Sequence, residues 1–226
     1  MSERYEFTIG DRPSLDVRTH STTVEIVAGA PGRVVVTVDQ PDRWDVSNVG
    51  DAVVIAPAGK RGRRAGRVAV EVPGATRVQF KSASADVRID GDLGSLSVAT
   101  ASGDLRHHGR CASLTMSTAS GDVRCAGVDG DVEITTVSGD VDLGDVEGRL
   151  EITTTSGDIR LARVGADLTI GSTSGDVRIA HADGTELELR TISGDVRIGL
   201  PTGIRVIPEL TTFTGSTRLP EPRRDT

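Results

Sequence analysis

The sequence predicts an all-β fold: a single β-solenoid (parallel β-helix) with about 18 residues per coil, irregular and wider in its N-terminal coils. Three observations carry that prediction. Asp86, Asp104, Asp122, Asp140, Asp158 and Asp176 stand 18 residues apart, and Asp195 follows after 19; a fixed period of this length signals stacked units. Each period holds two short runs in which apolar and polar residues alternate, the mark of strands with one buried face. The 226 residues include 27 glycines but only one Trp, one Tyr and three Phe, too few for a core built on aromatic rings. A thin core of stacked aliphatic side chains satisfies all three.

Taken in order, residues 1–14 read as an N-terminal cap and 15–77 as irregular coils of the same solenoid. The stretch 15–26 overlays 150–161 without gaps, although Thr22 and Thr23 replace the usual Gly-Asp. Segments 34–38, 53–55 and 68–72 read as strands separated by longer loops. The regular array covers 78–219, and the Pro-rich, charged tail 220–226 reads as disordered.

Within each regular coil one strand ends at Ser-Gly-Asp, where the alternation changes parity and the chain must turn. Gly103, Gly121, Gly139, Gly157, Gly175 and Gly194 supply the unusual dihedrals there, and the aspartates cap nearby amides. In register, the coils give aliphatic columns such as Leu96, Leu114, Val132, Leu150, Leu168, Leu187. Another runs Ile89, His107, Cys125, Leu143, Leu161, Ile179, Ile198. Parallel strands would stack these about 4.8 Å apart, leaving no room for aromatics. The aromatics fall toward the ends, where they would cap terminal coils. Thr100, Thr118, Thr136, Thr154, Ser172 and Thr191, with the motif serines, share the inward parity. They are expected to form hydroxyl ladders bonded from coil to coil. Arg88, Arg106, Arg124, Arg160, Arg178 and Arg197 follow the aspartates by two residues. The two rows should form a surface charge lattice, each pair worth about 0–1 kcal/mol.

The Thr-x-Ser-Gly-Asp-Val repeat, preceded by Val72-Pro73-Gly74, resembles the bacterial DUF4097 family of β-strand-repeat proteins, which carries an adhesin label. The resemblance covers residues 15 to 219. It implies a β-solenoid, no established enzymatic activity and no catalytic residues to transfer.

Other chemistries fit the residues less well. Calcium β-rolls need glycine doublets that this chain lacks, hexapeptide helices need an apolar residue every six, and ice-binding faces need unbroken Thr rows. No acid pair stands out for catalysis, so no enzyme and no cofactor are expected. His107 beneath Cys125 is a candidate N/S metal pair; the favoured alternative is a packed Cys with the His leaning outward. Lys60, Arg61, Arg63, Arg64 and Arg67 form a basic run that would either dock an anionic partner or remain a solvated loop. The net charge of −7 speaks against nucleic-acid binding by the body of the rod.

With neither a signal peptide nor an apolar span visible, the expected location is cytoplasmic. The functional expectation is a non-enzymatic binding or scaffold module, favoured as a monomer. It would present Ser/Thr, Asp and Arg ladders to a protein, glycan or surface partner. A bactofilin-like filament assembling through rod ends and a cell-envelope stress component are the alternatives.

Overall fold

The computed structural model describes residues 2–29, 32–59, 66–184, 186–200 and 207–218. Its N-terminal part comprises β1 (Ser2–Thr8), β2 (Ser14–Thr19), β3 (Val24–Gly29), β4 (Arg33–Asp39), β5 (Trp44–Val49), β6 (Ala52–Pro57) and β7 (Val68–Pro73), with a 3-10 turn at Pro41–Arg43. Strands β2 and β3 form one coil. It stacks directly on β8 (Arg77–Ser82) and β9 (Val87–Asp90), with Leu15 opposite Val78, Val17 opposite Phe80 and Val24 opposite Val87. On the other side of that coil lie β6 and β7, also parallel. The spatial order of the coils therefore departs from the chain order.

The irregularity of this region takes the form of chain reversal. Antiparallel pairings join β4 to β7, β1 to β4 and β5 to β6. Reversed strands terminate the parallel stack and cover an end that would otherwise offer a free edge. Trp44 is buried here, and Tyr5 and Phe7 pack against the core from β1.

The regular array continues through β10 (Leu93–Ser102), β11 (Leu105–Ser120), β12 (Val123–Val128), β13 (Val132–Ser138), β14 (Val141–Val146), β15 (Leu150–Ser156) and β16 (Ile159–Val164). It ends with β17 (Leu168–Ser174), β18 (Val177–Ala182), β19 (Glu186–Ser193), β20 (Val196–Ile198), β21 (Ile207–Thr214) and β22 (Thr217–Arg218). Each coil contributes one strand to each of two parallel faces. The first runs β8, β10, the C-terminal half of β11, β13, β15, β17, β19, β21. The second runs β9, the N-terminal half of β11, β12, β14, β16, β18, β20, β22. The pairing register reproduces the sequence columns: Leu114, Val132, Leu150, Leu168 and Leu187 are successive partners. Leu150 and Ile152 are fully buried while Glu151 and Thr153 face solvent. Each such aliphatic side chain contributes about 1.5–3 kcal/mol by leaving water.

Three expectations are corrected. The inward hydroxyls do not bond between coils: Thr136, Thr154, Ser172 and Thr191 each donate to the carbonyl two residues ahead, at 3.2 to 3.4 Å. In a parallel ladder the backbone amides and carbonyls already link neighbouring coils, so the nearest open acceptor lies at the strand's own bend. The motif serines, from Ser102 to Ser193, are exposed, because the chain has begun to turn before their side chains can reach the interior. The regular stack also admits an aromatic: Phe80 is fully buried, flanked by Val17 and Val98 on the adjoining strands. Small neighbours on both sides leave it the space.

Candidate functional site

Three places concentrate polar or exposed apolar chemistry. The first is the edge formed by the stacked Ser-Gly-Asp turns. Gly157 has φ +131°, and a Cβ there would stand 2.1 Å from the carbonyl oxygen of Gly139 one coil earlier. Glycine thus lets consecutive backbones touch. Each following aspartate works across the same gap. Asp86 Oδ1 accepts the amide of Asp104 at 3.0 Å, Asp104 that of Asp122, Asp122 that of Asp140, and so on through Asp158, Asp176 and Asp195. Asp195 Oδ1 closes the series by accepting both the amide and the hydroxyl of Ser216, which hold its carboxyl below the usual range.

The other carboxylate oxygen faces arginine. Asp104 pairs with Arg106, Asp122 with Arg124, Asp158 with Arg160, Asp176 with Arg178 and Asp195 with Arg197, at 2.6 to 3.2 Å. Asp142 stands where the next arginine would be, and Arg160 reaches back to Asp140 at 3.4 Å instead. The ladder carboxylates from Asp104 to Asp195 are thus committed to amides and guanidinium groups. Every link repeats the same local geometry, which makes the row a device for holding register.

The second place is interior. His107 occupies an aliphatic column and is 1% exposed, so it points inward rather than out. Its Nε2–H donates to the Gly91 carbonyl at 2.9 Å, and its Nδ1 lies 3.5 Å from Cys125 Sγ. Cys125 Sγ is also 3.4 Å from the Gly127 carbonyl oxygen. Cys111 completes the cluster: the three donor atoms lie within 4.8 Å of one another, and both cysteines are free thiols. A hydrogen bond from Cys111, reinforced by His107, lowers the pKa of the Cys125 thiol against the opposing effect of burial. That bond and burial push the Cys111 thiol up. Burial disfavours the His107 cation, but its contacts with Cys125 and Gly91 outweigh this and raise its pKa.

The sequence columns paired His107 with Cys125 but left Cys111 out. The reason is a slip in β11 between His107 and Arg110: Leu105 faces Val123, eighteen residues on, while Cys111 faces Val128, seventeen on. That bulge moves Cys111 into a third inward column with Leu93, Val128, Val146 and Val164. A residue paired across a bulge is invisible to fixed-period counting.

The third place lies on the outer face of β15, β17, β19 and β21. Val137, Thr155, Thr173, Ile192 and Phe213 form one outward row. Phe213 is 88% exposed and Ile192 55%, so Phe213 does not cap the rod as its position near the chain end suggested. Beside them Gly171 leaves a depression with open space above its Cα. Thr153, Thr173, Thr211, Arg190, Ile192 and Phe213 line it, and Arg190 pairs with Glu188 at 2.7 Å.

Of the basic run, Lys60, Arg61, Arg63 and Arg64 lie outside the described residues, as does the tail 220–226. Arg67 is described and forms an ion pair with Glu25. No helix among the described residues is long and apolar enough to cross a membrane.

Comparison with known proteins matches the Toastrack DUF4097 family over residues 14–224. No curated protein matches the chain in sequence. Among solved structures, the chain resembles one from Parabacteroides distasonis named as a "putative lipid binding protein", with 13% identity and TM-score 0.62, covering 96% of this chain and 97% of that one. It also resembles a "putative adhesin" from Bacteroides fragilis, with 12% identity and TM-score 0.52, covering 97% of each. At such identities the likeness is one of fold.

Proposed function

The chain belongs to the Toastrack DUF4097 family, and from that premise we propose that it is a non-enzymatic binding module whose contact face is the outer surface of β15, β17, β19 and β21. The observation that carries this reading is Phe213, 88% exposed beside Ile192 on a face of paired parallel strands, next to the Gly171 depression. An aromatic and an aliphatic side chain held together in water cost solubility and mark contact surfaces. The paired strands hold them at the spacing of the parallel ladder, so a partner meets a surface arranged by the backbone.

The partner we propose is a glycan. The apolar ring of Phe213 offers a platform for the C–H face of a sugar, while Thr153, Thr173 and Thr211 surround it with hydroxyls. The depression is shallow and open along the rod, which suits a chain laid across it better than a small enclosed ligand. The adhesin name carried by the Bacteroides fragilis structure agrees with such a role. The Asp and Arg ladders enter this reading as the scaffold that keeps the face straight.

Saccharide binding measured by saturation-transfer NMR on a panel of neutral polysaccharides tests the reading. Phe213→Ala should weaken binding more than about tenfold, as for an aromatic anchor. Val27→Ala, at an exposed position on β3, should leave it unchanged. Binding that survives Phe213→Ala, or no saccharide binding at all, overturns the proposal. Retention of the protein on lipid vesicles without saccharide binding would instead favour an apolar lipid partner, as the name of the Parabacteroides structure suggests for that protein.

A further inference from the structure

We propose that His107, Cys111 and Cys125 form a binding site for a thiophilic d10 cation, Zn2+ or Cu+, inside the solenoid core. The donors meet from two adjoining coils and are 1%, 1% and 5% exposed. Metal–ligand bonds of about 2.3 Å to sulfur and about 2.0–2.1 Å to nitrogen, at tetrahedral angles, separate the two ligand atoms by about 3.5 Å. Cys125 Sγ and His107 Nδ1 are 3.5 Å apart. The thiol–imidazole hydrogen bond already holds the two donor atoms at that ligating separation.

The orientation of the ring agrees. Because a carbonyl oxygen can only accept, the bond to Gly91 places a proton on Nε2. The neutral ring then carries its lone pair on Nδ1, the atom that faces the sulfurs. A backbone carbonyl fixing the tautomer of a ligating histidine is the usual outer support of such sites. Charge also balances. Zn2+ with two thiolates is neutral, as is Cu+ with Cys125 as thiolate and Cys111 as thiol, so either ion could be buried among aliphatic side chains at modest cost. Each thiol proton displaced on binding passes to solvent.

Packing alone gives no reason for these residues. Apart from Cys125, the column of His107 holds Ile89, Leu143, Leu161 and Ile179, and the column of Cys111 holds Leu93, Val128 and Val146. The cost of burying an imidazole there is met by the Gly91 carbonyl at Nε2 and by the Cys125 sulfur at Nδ1, which leaves the Nδ1 lone pair directed at the thiols. The inference is independent of the glycan-binding face, which lies several coils away.

The test uses the full chain, stripped with chelator under reductant. One arm titrates Zn2+ against a chromophoric chelator, and the other titrates Cu+ against a Cu+-specific chelator. One equivalent bound in either arm is the expected result and identifies the ion. Co2+ should add thiolate-to-metal charge-transfer bands. His107→Leu and Cys111→Val restore the residue types of their columns, so both should fold, and each should weaken binding more than about tenfold. No stoichiometric binding in either arm overturns the site. So does binding that both variants retain, or a Cys111–Cys125 disulfide that forms in place of the metal complex.

Discussion

Replacing Gly157 by Ala isolates what the turn ladder demands of the backbone. The added methyl would stand 2.1 Å from the Gly139 carbonyl oxygen and 2.7 Å from its carbon, both well inside ordinary contact. Neither atom can swing aside, because both belong to the adjoining coil's backbone. Ala would also have to adopt φ +131°, at a cost of about 1–2 kcal/mol for an L-residue outside its favoured regions. Overpacking adds about 1–3 kcal/mol, so Gly157→Ala should destabilise by about 2–5 kcal/mol. Gly171 supplies the control: it has ordinary strand geometry, and among the described residues nothing lies within 4 Å of where its Cβ would stand. Gly171→Ala should therefore stabilise by about 0.5–1 kcal/mol, the usual gain over glycine in a strand. Urea unfolding followed by circular dichroism reads both as shifts of the midpoint. A separate early transition in Gly157→Ala would fit a stack whose coils couple only to neighbours. Equal midpoints for the two variants would refute the claim that backbone contact, rather than turn propensity, selects glycine at the motif.

Thr118→Val should raise stability by about 1 kcal/mol, because its buried hydroxyl has no hydrogen-bond partner among the described residues, whereas Thr154→Val should lower it by about 1 kcal/mol by deleting the bond to Ser156; thermal unfolding of the two variants decides. Leu150→Ala should cost about 2–5 kcal/mol through the cavity left between Val132 and Leu168, again read from urea midpoints. Asp195 should titrate below the usual carboxylate range in a carbon-detected NMR series, and Ser216→Ala should move its midpoint partway back by removing the hydroxyl donor while leaving the amide. Since the folded pKa is depressed, the stability Asp195 contributes is present above the ordinary carboxylate pKa and is lost as pH falls through the depressed value.

What could be read from the sequence and what could not divide along a physical line. Columns such as Leu114, Val132, Leu150 and Leu168 were legible because a parallel stack maps equal spacing in sequence onto adjacency in space. The glycine and aspartate rows were legible for the same reason, although the reach of each carboxylate to the next coil's amide was not. Hydroxyl direction was misread, since parity says which way a side chain starts and not which acceptor is still free.

Periodicity alone thus determined the solenoid, its thin aliphatic interior and the repeating turn, all of which depend on one residue spacing held by backbone hydrogen bonds. The tertiary structure decided whatever breaks that spacing. The reversed strands that close the N-terminal end pair segments far apart in the chain. The bulge in β11 brings Cys111 to His107 and Cys125, and the pairing of β21 on β19 sets Phe213 on the outer face, 88% exposed. Contacts between non-equivalent positions carry no period, so only the folded chain reveals them.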